Sequence, residues 1–338
     1  MHINYFKPEI ANSIGLITNY KCTFHCKHCL YCSSPKIAEE IDEDKLMKII
    51  DEISVVKDLL LHIGGGEPLV NFDRVKRIIS YIKEKNILME YMETNGFLLL
   101  KDGLTKLQEL KDAGLNRILL SISPFHNEFI SVQHIKQIFK DIISIFGNDG
   151  IFPWNHSYLY FLERVSQDKP VKLEEYFSNF SFPEILFQLS NIMYIHPGGR
   201  AAYLLSKYQD LYPAEDLLDI ECNRNLSSPT HAHIDYRGNY ITGFCSGLRI
   251  GEESALNLKK LYKEGIDLRE YPVLSMLTTG GLKKLYHFSL KEGYSPKKEG
   301  YVFPCHLCLD MRIYLYFNKE KYRDLYPDFF YEELKRDW

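Results

Sequence analysis

The chain has 338 residues, room for one barrel-sized domain with an appendage or for two ordinary domains. Its 41 basic and 45 acidic residues leave a net charge of −4, which gives no broad basic face and excludes nucleic acid as the expected partner. Aromatic residues make up 14% of the chain and need a real core to bury them, so disorder is excluded. No apolar run approaches the ~18 residues of a membrane span.

Residues 1–10 carry His2, Lys7 and Glu9 and no long apolar stretch, so they are not an export signal. The expected location is the cytoplasm. Eight cysteines in a reducing compartment read as metal ligands, catalytic thiols or buried filler rather than as a disulfide framework. Filler would scatter, and these do not. Cys22, Cys26, Cys29 and Cys32 crowd into eleven residues, and Cys222, Cys245, Cys305 and Cys308 lie in the last third.

In chain order, Ser13–Tyr20 reads as a strand. Asp42–Val56 reads as a helix, with Leu46, Ile49, Ile50 and Ile53 on one face. Leu59–Ile63 is a strand ending in Gly64-Gly65-Gly66, and Phe72–Lys85 is a helix with Val75, Ile78, Ile79 and Ile82 inward. Ile87–Glu93 is a strand. Leu104–Ala113 is a helix closed by Gly114. Arg117–Ser123 is a strand, and Val132–Phe146 a helix with Ile135, Ile138, Phe139 and Ile142 inward. Further strands are expected at Ser157–Leu162 and Asn191–His196.

Repeated β-α units imply a parallel sheet with right-handed crossovers. About six units fit before residue 210, too few for a closed eight-strand barrel. The expected fold is therefore α/β: a partial (β/α)6 TIM-like barrel over residues 10–210, with its site at the C-terminal ends of the strands. A C-terminal extension follows over residues 211–338. There His231–Tyr236 and Asn239–Phe244 read as a hairpin around Arg237-Gly238. Helices are expected near Leu256–Tyr262 and Leu274–Lys291, the Cys305–Cys308 pair in a loop, and the tyrosines of Tyr314–Tyr331 in packing.

Cys22, Cys26 and Cys29 stand at spacings of four and three just after the first strand. Three thiolates so placed can wrap one side of a [4Fe–4S] cluster and leave one iron open. Cys29-Leu-Tyr-Cys32 also forms a C-x2-C pair, so zinc stays open as an alternative. The glycines at 64–66 let backbone carbonyls approach a ligand, and Glu67 can add charge. By itself that run also reads as a tight strand-to-helix turn.

The C-x3-C-x2-C loop and Gly64-Gly65-Gly66-Glu67-Pro68, in this order one unit apart, resemble the radical S-adenosylmethionine (SAM) superfamily over roughly residues 10–210. The resemblance implies that Cys22, Cys26 and Cys29 hold the cluster, while SAM binds the open iron. The glycine run would take the methionine amino group. Thr94-Asn95-Gly96, Ser121 and Ser123 match polar positions around SAM, and His28 stands where an aromatic meets the adenine. Arg200 could pair with the SAM carboxylate; its other reading is a solvated arginine at a helix start. A reduced cluster would then cleave SAM to methionine and a 5′-deoxyadenosyl radical that abstracts hydrogen from a substrate. A flavodoxin or ferredoxin is the expected reductant.

Cys222, Cys245, Cys305 and Cys308 are the four ligands one complete [4Fe–4S] cluster needs. The layout resembles the twitch and SPASM auxiliary-cluster extensions of radical SAM enzymes. It departs from them in placing Cys245 seven residues after Gly238 rather than five. Structural zinc is the alternative there. Within that group the layout is nearest to peptide epimerases, through Cys32-Ser33-Ser34-Pro35 and Ser121 to His126. That likeness implies a ribosomal peptide substrate and Cys222 as hydrogen donor if it is not a ligand; His126, at the mouth of the expected barrel, reads either as a substrate contact or as a satisfied structural histidine. A sugar, nucleoside or other small metabolite is the second reading, and a non-enzymatic iron–sulfur or zinc protein the third. The chain begins almost at its first strand, so no leader-binding domain is expected before it. His231, His233 and Asp235 alternate on one strand, either as a polar face or as a further metal site. His306 reads as a loop residue, and Cys32 has no assigned role.

Overall fold

The computed structural model describes residues 5–152, 156–181, 195–227, 230–243, 245–318 and 322–335. Among them are eight strands: β1 (Tyr5–Phe6), β2 (Ser13–Ile17), β3 (Leu60–Gly64), β4 (Leu88–Thr94), β5 (Ile118–Leu120), β6 (His231–Asp235), β7 (Tyr240–Thr242) and β8 (Ile266–Asp267). The main sheet has the order β5-β4-β3-β2-β6-β7, and β1 pairs antiparallel with β8 beside it. All pairs from β5 to β6 are parallel, and only β7 runs the other way. This is the expected α/β architecture with a parallel sheet.

The helices form where the apolar period is 3.6. Helix α1 (Glu43–Ser54) starts at Asp42, whose side chain accepts the Lys45 N–H at 3.0 Å. It buries Leu46, Ile49, Ile50 and Ile53 completely. Helix α2 (Phe72–Glu84) buries Val75, Ile78, Ile79 and Ile82 in the same way. Helix α3 (Gly103–Ala113) ends at Gly114, left-handed at φ 119°, as its sequence predicts. Burying four such side chains contributes on the order of 6–12 kcal/mol before entropy is counted, so tertiary packing holds these helices.

Two expectations of secondary structure change. Ser157–Leu162 is not a strand: helix α6 (His156–Glu163) occupies it, after α4 (Pro124–Asn127) and α5 (Val132–Phe146). The buried Tyr158, Phe161 and Leu162 are spaced for one helix face, not for alternation. The strand expected at Asn191–His196 lies mostly outside the described residues. The Cys305–Cys308 pair sits in the helix Pro304–Asn318 rather than in a loop, so the two thiols stand three residues apart on one helical face. His306 is consequently a buried helical residue, edge-on to Tyr203 and Tyr301.

Among the described residues the chain before residue 210 supplies four of the parallel strands. The fifth, β6, comes from beyond it and pairs in register with β2, Gly15 opposite His233. One sheet thus spans both halves of the chain, and Tyr31 has a cysteine of each set, Cys29 and Cys245, within electrostatic reach.

Candidate active site

The loop after β2 carries the first three cysteines. Its base is closed by a parallel bridge between Lys21 and Ser34, with the Cys22 N–H on Ser34 O at 3.1 Å. The Cys29 N–H turns back to Cys26 O at 3.1 Å. The three thiols lie within electrostatic reach of one another. Burial pushes the Cys22 thiol up to about 12 and Cys26 well above the ordinary thiol range. Cys22 Sγ also accepts from Phe24 N–H at 3.4 Å and Asn95 Nδ2 at 3.6 Å. Three clustered soft donors with N–H groups aimed at sulfur fit an iron–sulfur centre, which would hold them as thiolates despite burial.

The glycine turn is welded to this loop. Gly66 N–H bonds Asn19 O at 2.8 Å and Glu67 N–H bonds Lys21 O at 2.9 Å. A Cβ on Gly66 would stand 2.2 Å from Lys21 O, and one on Gly65 2.4 Å from Asn19 O. Glycine is therefore required for the backbones to approach. The Asn19 amide strengthens the weld, donating to Lys21 O at 2.7 Å and to Glu67 O at 3.1 Å. Asn19 escaped the sequence reading, because nothing marks it except adjacency to the motif.

Glu67 does not offer its charge to a ligand. It is fully buried and accepts from Thr94 Oγ1 (2.8 Å), Asn95 N–H (2.8 Å) and Leu69 N–H (3.1 Å). It is a strut between the ends of β3 and β4, and burial raises its carboxyl to about 7. Asn95 in turn donates to Thr23 Oγ1 at 2.9 Å, inside the cysteine loop.

Arg200 departs from its expectation as a solvated residue. It is not solvated, and only its Nη1, 4.0 Å from Glu333 Oε1, is left without a hydrogen bond. It is buried at the start of the helix Arg200–Leu205, with Nε on Cys26 O and Nη2 on Ser33 O, both at 2.8 Å. One guanidinium thus clamps the two ends of the C-x2-C-x2-C segment. Cys32 is fully buried beneath it with a left-handed φ of 57°, and its thiol is raised by burial. It is a packed corner of the loop.

His28 lies parallel to Phe125 at 4.4 Å and edge-on to His126 at 5.2 Å. Burial lowers its imidazole, and its Nδ1 has no hydrogen-bond partner. Ser121 donates to Glu93 Oε1 at 3.1 Å at the lip of the sheet. Ser123 does not face a ligand. It is fully buried and caps α4, with its hydroxyl 2.7 Å from His126 Nδ1. His126 is half-buried there, lowered by burial to about 4.

Glu93 and His62 were not singled out from sequence. Both stand on inward positions of their strands, which only register identifies. Glu93 keeps solvent access at its rim, yet desolvation by the protein around it raises its carboxyl, against the lowering hydrogen bond from Ser121. His62 is one of three imidazoles, with His231 and His233, whose ring nitrogens lie within 4.8 Å of one another. Asp235 does not join them. Its carboxylate is taken by Arg237 N–H, Asn239 and Tyr20 in the hairpin turn.

The second cysteine set converges in space. Cys222 opens the helix Cys222–Ser227, Cys245 follows β7, and Cys305 and Cys308 come from the helix Pro304–Asn318. Cys305 has Cys245, Cys308 and Cys222 as electrostatic neighbours, and Cys222 has Cys308 and Cys245. Burial raises Cys222 to about 12. The buried Arg312 guanidinium sits beside Cys308 and Cys245 and donates to Ser246 O at 2.8 Å, which favours ionised sulfur. Tyr31 links the two sets, with Cys29, Glu93 and Cys245 all within its electrostatic reach.

Residues 16–151 match the family model described as the radical SAM superfamily. A probable GTP 3′,8-cyclase of Methanococcus maripaludis is 38% identical over 114 residues, 32% of this chain and 36% of that protein. The match thus spans about a third of that relative's length. The GTP 3′,8-cyclase of Clostridium botulinum is 24% identical over 327 residues, 88% of this chain and 95% of that protein. Among solved structures, BtrN in complex with AdoMet and 2-DOIA covers 82% of this chain and 91% of its own, with a TM-score of 0.46 at 13% identity. No described helix is long and apolar enough to cross a membrane.

Proposed function

We propose that this chain, whose residues 16–151 match the radical SAM superfamily, is a radical SAM enzyme that holds two [4Fe–4S] clusters and acts on an uncharged or cationic, peptide-like substrate in the barrel interior. When bound, cluster and SAM supply a 5′-deoxyadenosyl radical that removes a hydrogen atom from carbon. The chain's own residues do the rest. Cys22, Cys26 and Cys29 present three sulfurs, Arg200 and Asn19 hold their backbone in place, and Gly65 and Gly66 keep the ligand-facing turn free of side chains. His28, on Phe125, offers a flat face to an adenine.

The second cluster rests on the convergence of Cys222, Cys245, Cys305 and Cys308. With four sulfurs and Arg312 beside them the set is complete, and no position is left for substrate. Cys222 is then a ligand and not a hydrogen donor.

The substrate reading rests on one observation. Strands β2 to β6 carry no lysine or arginine, and the inward Glu93 is acidic. A triphosphate would meet no cation on the sheet. A peptide backbone or an amine finds Glu93, Ser121 and the ring of Tyr31. The likeness to GTP 3′,8-cyclases favours a nucleotide as the second reading.

The test is anaerobic reconstitution followed by dithionite and SAM. The expected result is ~8 irons per chain, two four-iron clusters, together with 5′-deoxyadenosine. About four irons would remove the second cluster. For the substrate, peptides and GTP are each supplied in D2O. Deuterium at one peptide α-carbon, delivered to the substrate radical by an exchangeable hydrogen-atom donor other than Cys222, supports the epimerase-like reading, and consumption of GTP overturns it.

A further inference from the structure

Three histidines stand together inside the barrel, and the sheet register explains how. One rung runs His233–Gly15–His62–Tyr91 across β6, β2, β3 and β4. His233 and His62 are two strands apart, about 10 Å along the sheet, too far for direct contact through an ordinary side chain between them. The residue between them is Gly15. A Cβ there would stand 2.5 Å from His233 Cδ2 and 2.5 Å from His62 Nε2, so both rings lean over the bare backbone. A glycine within a strand marks this kind of close approach. His231, one inward position back on β6, completes the group.

The nitrogens face one another. His231 Nε2 and His233 Nε2 are 3.2 Å apart, and a His62 ring nitrogen joins them within 4.8 Å. Two nitrogens each ~2.0–2.1 Å from a tetrahedral ion lie roughly 3.4 Å apart, so the pair is already near ligand spacing. The other nitrogen of His233, Nδ1, is 2.8 Å from Tyr31 OH. That bond fixes the ring so that Nε2 points to the group, as the outer partner of a metal-bound imidazole does. His62 is buried, stacked between Tyr91 at 4.8 Å and His231 at 4.9 Å, and its Nδ1 has no hydrogen-bond partner. His231 and His233 are half-buried, so the cluster opens to the interior.

We propose that His62, His231 and His233 form a mononuclear site for a divalent first-row transition ion such as zinc, with its fourth position open to the barrel interior. Three neutral imidazoles with one vacant direction are the donor set of zinc sites that keep an exchangeable position. Tyr31 is a positioning residue for His233. A substrate donor atom entering the interior would fill the fourth position and be held beside the cysteine loop, to which Tyr31 belongs. The proposal rests on these side chains and not on the substrate or on the second cluster.

The experiment uses the anaerobically reconstituted protein, dialysed free of loose metal and titrated with zinc. About one tightly held zinc per chain is expected. Its X-ray absorption should show nitrogen and oxygen at ~2.0 Å and no sulfur at ~2.3 Å. His231→Gln and His62→Ala should each weaken zinc binding about 100-fold, and Tyr31→Phe about 10-fold, with iron content unchanged. A sulfur shell, or no zinc held at micromolar concentration, overturns the site. Should His62→Ala fail to retain iron, the half-buried His231→Gln and the wild-type absorption spectrum decide it. Failure here leaves the iron count and SAM cleavage untouched, so the two readings fall separately.

Discussion

The two cysteine sets are built in opposite ways. The first is local: three thiols within eight residues, on one loop, closed at its base by Lys21 and Ser34 and clamped from outside by Arg200. The second is assembled from two helices and the end of a hairpin, and 60 residues separate Cys245 from Cys305. A local set can be spaced by the chain itself. A distributed set depends on the packing of every element that carries a member, and loop closure over such lengths has an entropic cost that the packing must offset. The first set should therefore fail by loss of chemistry, and the second by loss of assembly.

Single ligands put that contrast to its hardest test. Cys26→Ala is expected to lower 5′-deoxyadenosine formation at least about 1000-fold and to remove about four of the eight irons. Cys305→Ala should remove the other four and leave SAM cleavage within about 10-fold of wild type. Iron analysis and chromatography of the nucleoside read both. Equal loss of cleavage in the two variants would erase the distinction.

Arg200→Lys sharpens the role of the clamp. A lysine cannot span Cys26 O and Ser33 O together, so a loss of about 2–4 kcal/mol is expected in urea unfolding. The iron of the first set should become labile while that of the second stays. Unchanged iron retention would show that the loop holds its own shape.

Glu67 sets a pH dependence. Its folded carboxyl titrates at about 7, above the ordinary value of 4.5. Folding therefore favours the protonated form. This contribution is fully present below about pH 4.5 and is lost as the pH rises through about 7. Relative to Glu67→Gln, the wild-type apoprotein should lose up to about 3 kcal/mol between pH 4.5 and pH 8. A flat difference across that range would mean the strut is ionised throughout.

The smallest effect is expected at Cys32. As a packed corner rather than a ligand, Cys32→Ala should cost about 1 kcal/mol and keep the full iron content. Loss of iron in this variant would bring the fourth cysteine into the first set.

Much of the molecule is legible in the residues alone. Leu46, Ile49, Ile50 and Ile53 announce their helix because a 3.6-residue period has one physical solution, and each is fully buried as expected. Residues 157–162 mislead for the converse reason. A short aromatic run suits either a strand or a helix, and packing chose the helix. The Cys305–Cys308 pair reads as a loop in the sequence, yet Pro304 begins a helix that carries both thiols.

The chemistry of the site divides along the same line. Spacing in the chain is enough to declare the Cys22-Cys26-Cys29 loop and the glycine turn, because neighbours in sequence cannot be far apart in space. It is silent on direction. Glu67 reads as a group facing a ligand and Arg200, in one of its readings, as a solvated one, whereas the fold turns both inward as a strut and a clamp. Nor can it place His62 opposite Gly15 and two strands from His233, since register is a property of paired strands and not of any one of them.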